Sequence, residues 1–188
     1  LRDWQALHVK KNFDGLIDRM AAARYSETYN NYYVGPHWAF ERKDIDLSQQ
    51  SDSKKAEGTI DLSGAFKHTS SKLNYNSDTK LYEYSTYGKD HIDPLDNDNV
   101  LAFKNVILMS VDFQELDEHG YLAYHNNGDG DGYYIVNGNA IPITWSKEQD
   151  LAVTQFINKS TGERINLQVG KTYIAFIPRD SWSKIVVE

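Results

Sequence analysis

The stretch NVILMSVDF, residues 105–113, constrains the fold of this chain more than any other part of its sequence. Its centre is continuously apolar, whereas a strand with one solvated face alternates apolar and polar residues. We therefore predict a strand that is buried on both faces. The 13 Tyr, 7 Phe and 4 Trp residues also favour β-structure, because aromatic side chains suit a pleated surface.

Most other segments are typical of strands joined by short turns. In SKLNYNSDTKLYEYSTYG, residues 71–88, the turn residues NSDT separate two runs of aliphatic and aromatic residues, which predicts a hairpin with a four-residue tip. Asn137-Gly138 predicts a two-residue type I′ turn, and STGE, residues 160–163, predicts another tight turn.

Only VKKNFDGLIDRMAAARY, residues 9–25, has the apolar spacing and alanine content of a helix. The predicted fold class is α+β, mostly antiparallel β with this one N-terminal helix and a C-terminal half that forms a small β-sandwich or barrel. We predict two domains: residues 1–100 as the C-terminal part of an α+β domain, and residues 101–188 as an antiparallel β domain. Residues 46–58, DLSQQSDSKKAEG, contain almost no apolar side chain and are expected to form a surface loop.

From the composition we expect several classes of function to be excluded. Twenty Lys and Arg residues against 27 Asp and Glu residues give a net charge of −7 without any block of like charge. We expect no nucleic-acid partner, because neutralising phosphates needs clustered cations. The chain has no cysteine, so thiolate catalysis, disulfides and Cys-ligated zinc are excluded. No apolar stretch approaches the roughly 20 residues that span a bilayer.

The stretch HNNGDGDGYY, residues 125–134, has features of a calcium loop. Asn127, Asp129, Asp131 and Gly132 match the first ligand positions and the glycine of an EF-hand, but Gly138 stands where that loop needs a bidentate Glu. A dinucleotide site lacks the helix that would hold the phosphate. We predict a Gly/Asp hairpin tip without a cofactor. Weak calcium binding at Asp129 and Asp131 is the alternative, which melting curves with calcium and with chelator would test.

The stretch KDHIDPLDND, residues 89–98, contains the catalytic candidates. If it is extended, His91 and Asp93 lie on one face, where a carboxylate can orient an imidazole as a base or share a metal with it. The alternative is a polar connection in which Asp93 begins a turn before Pro94. Unchanged activity and metal affinity in His91→Ala and Asp93→Ala variants would refute the catalytic interpretation.

A second candidate surface is aromatic. His37 and Trp38 lie together in GPHWAF, and Tyr32 and Tyr33 precede them. Exposed, these four side chains would form a stacking platform that binds sugar rings or a peptide. The favoured alternative is that they seal the helix against the sheet, because aromatic residues serve packing more often than binding.

Several motifs in a fixed order resemble one known family. YEYSTYGKDHID is followed by FKNVILMSVDF, and the C-terminal half adds GDGYYIVNGNAIPITWSK and TGERINLQVGKTYIAFIP. Between about Gly58 and Pro178, these motifs resemble the YerB-like bacterial lipoproteins. Shared features include the aromatic strand, the Gly-x-x-His-x-Asp step, the strand that opens with Asn-Val and the Asn-Gly turn.

The resemblance implies an exported protein on the outer face of the cytoplasmic membrane of Gram-positive-type bacteria. It implies no reaction, because the family is one of unknown function. The family's first domain begins upstream with Arg- and Gly-containing motifs that this chain lacks. We therefore expect the N-terminal lipid anchor, the only membrane attachment implied, to be absent from this chain.

These observations lead to two hypotheses about function. The first is an extracytoplasmic, non-enzymatic module that binds a partner protein or a cell-wall glycan or peptide through sheet edges and aromatic surface. The second is a cell-envelope hydrolase or metal-dependent enzyme that uses His91 and Asp93. The sequence contains no Gly-x-Ser-x-Gly elbow, no His-Glu-x-x-His motif and no phosphate-binding loop of the Walker type, which favours the first hypothesis.

Overall fold

The computed structural model describes residues 37–149 and 152–188, and the predicted helix at residues 9–25 lies outside them. The described residues contain a 3₁₀ helix at Arg179–Lys184, and none of their helices has the length and apolar character needed to cross a membrane. In chain order the strands are β1 (Phe40–Glu41), β2 (Lys54–Lys55), β3 (Thr59–Asp61), β4 (Lys72–Asn76), β5 (Leu81–Thr86), β6 (Lys89–Asp90), β7 (Ile92–Asp93), β8 (Asn99–Val100), β9 (Ala102–Phe103), β10 (Asn105–Glu115), β11 (Leu122–His125), β12 (Gly128–Val136), β13 (Asn139–Lys147), β14 (Gln155–Asn158), β15 (Leu167–Gln168), β16 (Thr172–Pro178) and β17 (Val186–Val187).

Two large sheets contain most of these strands. The first has the order β11-β10-β12-β13-β14, with β16 paired to β10 and β2 paired to β13. The second has the order β17-β3-β4-β5-β6, with β9 paired to β5. Among the described strands, pairing is antiparallel except between β1 and β15 and between β10 and β16. The predicted β-rich, mostly antiparallel architecture is therefore confirmed.

Strand β10 is the centre of the core, as its apolar sequence predicts. Every residue from Asn105 to Val111 is buried. Ile107 belongs to a hydrophobic cluster on one face, whereas Leu108 belongs to the cluster on the other face. Successive side chains of a strand project to opposite faces, so a continuous apolar run is needed where both faces are covered.

The second hydrophobic cluster joins the two large sheets. Ile60, Leu73 and Tyr82 of the six-stranded sheet share it with Leu108 and Ile135 of the seven-stranded sheet. The prediction of a barrel is wrong for the described residues, because the strand pairings of the seven-stranded sheet do not close into a ring. Its faces are covered by other parts of the chain instead of by closure of the sheet on itself.

The predicted turns are present. The tip between β4 and β5 has the predicted four residues, 77–80, and lies one residue later than the predicted NSDT at 76–79. Asn137 and Gly138 have φ values of 49° and 75° and join β12 to β13, as a type I′ turn requires. Gly162 has a φ of 71° in the predicted STGE turn, next to the bridge between Ile157 and Arg164.

Residues 46–58 are not simply a surface loop, contrary to the prediction. Leu47 and Ala56 are buried, and β2 between them pairs with β13. The Ala56 amide also donates a hydrogen bond to the Gly138 carbonyl at 2.8 Å. Two buried apolar residues and backbone pairing hold this polar segment on the sheet, and neither leaves a periodic signal in the sequence.

Burial of tyrosines makes the fold sensitive to alkaline pH. Burial raises the pKa of Tyr82 and of Tyr134 above the ordinary value of 10.0. Their contribution to stability is fully present below the unfolded-state pKa of about 10 and is lost as pH rises through the folded-state pKa, because only the unfolded chain releases the protons readily. Each group then lowers the free energy of unfolding by up to about 1.4 kcal/mol per pH unit.

Urea denaturation between about pH 8 and pH 11 measures this decline. We expect a shallower pH dependence for Tyr82→Phe than for the native chain, and an unaltered dependence for Tyr121→Phe, whose ring is exposed. If the free energy of unfolding declined equally steeply with pH in the native and Tyr82→Phe proteins, burial of Tyr82 would not be a cause of the alkaline sensitivity.

Candidate binding surfaces

The end of β10 and the strand β11 form an exposed hairpin, which we call the arm (residues 112–125). Pairing runs from Asp112 opposite His125 to Glu115 opposite Leu122. Burial ends abruptly at Asp112, although the strand continues for four exposed residues. The arm therefore continues the central strand past its buried part, while its Tyr124 stays half-buried against the first hydrophobic cluster.

Apolar side chains group on one face and at the tip of the arm. Residues opposite one another in an antiparallel pair share a face, which places Phe113, Leu122 and Tyr124 together. The Phe113 and Tyr124 rings lie 6.3 Å apart between centroids. Phe113, Leu116, Tyr121 and Leu122 are between 36% and 67% exposed, so this apolar group faces solvent.

The tip of the arm has a defined turn. The Asp117 carboxylate accepts hydrogen bonds from the backbone amides of His119 at 3.0 Å and Tyr121 at 3.4 Å. Gly120 has a φ of 80°, and the Leu116 amide donates to the Tyr121 carbonyl at 2.7 Å. These contacts hold Leu116 and Tyr121 beside each other at the tip.

The arm is acidic. It contains four carboxylates and no Lys or Arg. Asp112 pairs with Arg179 at 2.9 Å, whereas Glu115, Asp117 and Glu118 form no ion pair within the described part of the chain. The surface of the arm therefore combines an exposed apolar face with negative charge that ion pairs among the described residues leave mostly uncompensated.

The structure places His91 at an exposed position between β6 and β7, and Asp93 at a half-buried position in β7. The Asp93 carboxylate accepts a hydrogen bond from the Leu95 amide at 3.0 Å, which is the turn before Pro94 that the sequence left as the alternative. The backbone of His91 is held by Tyr84 and Leu101, at 2.9 and 2.7 Å. Within residues 37–149 and 152–188, no hydrogen bond joins the two side chains, and no group of three His, Asp or Glu residues could hold a metal ion. Catalysis by His91 and Asp93 stays a prediction.

The aromatic candidates fall at the boundary of the described residues. Tyr32 and Tyr33 lie outside them. His37 and Trp38 are both exposed, with ring centroids 6.4 Å apart in an edge-to-face arrangement. The His37 carbonyl accepts a hydrogen bond from the Arg164 guanidinium at 3.2 Å. A stacking surface formed by His37, Trp38 and the two tyrosines stays a prediction.

The glycine–aspartate stretch is not a hairpin tip, contrary to the prediction. It lies inside β12, which pairs with β13 along its whole length from Gly128 to Val136. A Cβ on Gly130 would lie 2.5 Å from the Ser110 carbonyl oxygen, and one on Gly132 would lie 2.5 Å from the Leu108 carbonyl oxygen. These glycines therefore allow close packing of β12 on β10 instead of making the chain flexible.

The aspartates of this stretch lie at exposed positions of the same strand. Asp131 accepts an ion-paired hydrogen bond from Lys159 at 2.7 Å. Asp129 lines a polar cavity of about 430 Å³ together with Asp112, His125 and Arg179. Calcium binding at Asp129 and Asp131 stays a prediction.

Comparison with known proteins gives the family. Residues 60–174 match the model of the C-terminal domain of a protein of unknown function, DUF3048. The chain belongs to this family. The DUF3048 region begins in β3 and ends in β16, so it includes the arm, His91 and Asp93.

The YerB protein of Bacillus subtilis, known from a crystal structure, has a similar fold. The TM-score is 0.56 at 17% identity, over 85% of this chain and 51% of the YerB chain. The chain thus spans about half the length of YerB, and at this identity the likeness concerns the fold alone. The resemblance to a YerB-like family of unknown function is confirmed. No curated protein matches the chain.

Proposed function

We propose that this chain is a non-enzymatic binding module that docks a partner protein through the arm. The observation that carries the proposal is the group of exposed apolar side chains at Phe113, Leu116, Tyr121 and Leu122. Grouped apolar side chains that face solvent mark interaction sites more often than scattered ones do. Aromatic residues are also suited to anchoring, because they bury a large area and lose little side-chain entropy when they bind.

Charge indicates the chemistry of the partner. Glu115, Asp117 and Glu118 surround the apolar group without a cation in the described part of the chain. A partner with an apolar groove bordered by Lys or Arg would complement both features, and the charges would accelerate encounter. We infer a protein with such a groove, in preference to a neutral glycan, which would leave these carboxylates unpaired.

The proposed location is the outer face of the bacterial cytoplasmic membrane. It is supported by the resemblance to YerB-like lipoproteins. If protease is added to intact protoplasts that carry the tagged protein, we expect the protein to be digested. Complete protection from the protease would contradict this location.

Photo-crosslinking from the arm tests whether a partner protein binds there. With a photo-crosslinking amino acid at position 121, we expect a covalent adduct with one protein in host cells. The same crosslinker at position 95 should give none, although Leu95 is 98% exposed. Adducts of equal yield at both positions, or an adduct with glycan alone, would overturn the proposal.

The identified partner then allows a quantitative test. Tyr121→Ser and Leu122→Ser should each weaken binding of the purified partner about tenfold or more, because loss of an anchoring side chain costs more than about 1.4 kcal/mol. Leu95→Ser is the matched control and should bind as the native chain does. Association should slow as salt is raised. Native-like affinity in both arm variants would refute docking through this surface.

A further inference from the structure

A cleft of about 610 Å³ lies beside β5, β8 and β9 and the connection between β15 and β16, away from the arm. Its volume is in the range of about 300–1,000 Å³ that is typical of small-ligand sites. The lining combines an apolar part with charged and polar side chains: Leu81, Val100, Ala102 and Val169 with Thr79, Glu83, Asp96, Asn99, Lys104, Gly170 and Lys171. None of these residues belongs to residues 112–125.

The charges of the cleft are of both signs and do not pair with one another. Two acidic side chains, Glu83 and Asp96, face the same space as two basic ones, Lys104 and Lys171. In the described part of the chain, none of the four forms an ion pair. The opposite charges are therefore too far apart to neutralise each other directly, and a ligand that spans them would meet both.

Two of these charges are held in place by neutral amides. The Glu83 carboxylate accepts a hydrogen bond from the Asn76 amide at 2.7 Å. The Lys104 ammonium donates one to the Asn137 amide oxygen at 2.6 Å. Such contacts orient the charged groups without cancelling their charge, and each group retains further hydrogen-bonding capacity.

The wall formed by residues 169–171 is fixed by backbone geometry. Gly170 has a φ of 143°, and a Cβ on it would lie 2.6 Å from the Lys104 Cβ. The Lys171 carbonyl accepts hydrogen bonds from the amides of Lys104 and Asn105, at 2.9 and 3.2 Å. The cleft is thus formed before any ligand binds, which lowers the entropic cost of binding.

We propose that this cleft binds a short zwitterionic peptide, with its ammonium group at Glu83 and Asp96 and its carboxylate at Lys104 and Lys171. The apolar lining takes up an aliphatic side chain between the two charged ends. A ligand with one charge only would leave the opposite pair of side chains partly desolvated and unpaired.

Titration of ¹⁵N-labelled protein with the tripeptide alanyl-leucyl-alanine tests this site. We expect saturable shifts of the amides of Val100, Ala102, Gly170 and Lys171. The N-acetylated and the C-amidated forms of the peptide should each bind about tenfold or more weakly, because each loses one charge-assisted interaction. Absence of saturable shifts at millimolar peptide would overturn the proposal.

Charge-removing variants assign the two ends. Asp96→Asn should reduce the discrimination against the N-acetylated peptide, and Lys171→Gln should reduce the discrimination against the C-amidated one. Asp90→Asn and Lys89→Gln, on the neighbouring β6, are matched controls and should bind like the native chain. Unaltered discrimination in both cleft variants would refute the assignment. Leu122→Ser should bind the peptide normally, so failure of the arm and failure of the cleft are distinguishable.

Discussion

Gly132→Ala is expected to destabilise the protein by about 3 kcal/mol, the upper part of the range for overpacking a well-packed core. The new methyl group would lie 2.5 Å from the Leu108 carbonyl oxygen and 3.1 Å from the Ile143 side chain. The first of these atoms belongs to the backbone of the central strand, so β12 and β10 would have to separate. Chemical denaturation of native and variant proteins measures the change.

The control for this prediction is the neighbouring aspartate. Asp131→Ala removes an ion pair whose side chains are 59% and 47% exposed. Exposed pairs contribute about 0–1 kcal/mol, so the variant should retain almost full stability. A larger loss for Asp131→Ala than for Gly132→Ala would show that the stretch depends on its carboxylates and would contradict the packing role of the glycine.

Asn105→Ala is expected to cost about 3 kcal/mol or more, although it changes a polar residue. The Asn105 side chain is fully buried at the start of β10. Its side-chain NH₂ group donates to the backbone carbonyl of Gln168 at 2.8 Å. Its side-chain oxygen accepts from the Tyr134 hydroxyl and from the backbone amide of Gln168, both at 2.9 Å. Truncation leaves buried donors and acceptors without this partner, at about 1–3 kcal/mol for each group that stays unsatisfied.

A double-mutant cycle with Tyr134→Phe separates the network from the cavity left by truncation. Because the two side chains share a hydrogen bond, their effects should be non-additive by at least about 0.5 kcal/mol. Asn139→Ala is the control, since among the described residues its side-chain amide donates only to the nearby Asn137 carbonyl, at 3.1 Å. Strict additivity, or an equal loss for Asn139→Ala, would show that Asn105 has no special role.

Features that depend on neighbouring residues were predictable. The apolar run at residues 105–111 required burial on both faces, and the structure has it. The Asn137-Gly138 turn followed from the positive φ that these residue types tolerate. Both properties are set by backbone conformation and by side-chain alternation along one strand, so a local pattern suffices.

Features that depend on residues far apart in the chain could not be predicted from the sequence. The alternating glycines of residues 128–132 are as typical of a flexible tip as of a strand, and only the approach of the Ser110 and Leu108 carbonyls distinguishes the two. The exposure of the arm was not predicted either, because the sequence does not show where the neighbouring strands β12 and β16 stop covering β10.

By itself, the sequence determined the β-rich class, the central strand, the tight turns and the family. The tertiary structure decided which parts of those strands are covered, and it brought residues 79–104 and 169–171 to one cleft. The physical reason is that strand formation and turn conformation are local preferences. Sheet pairing joins residues far apart in the chain, and exposure at each position depends on what pairs or packs there.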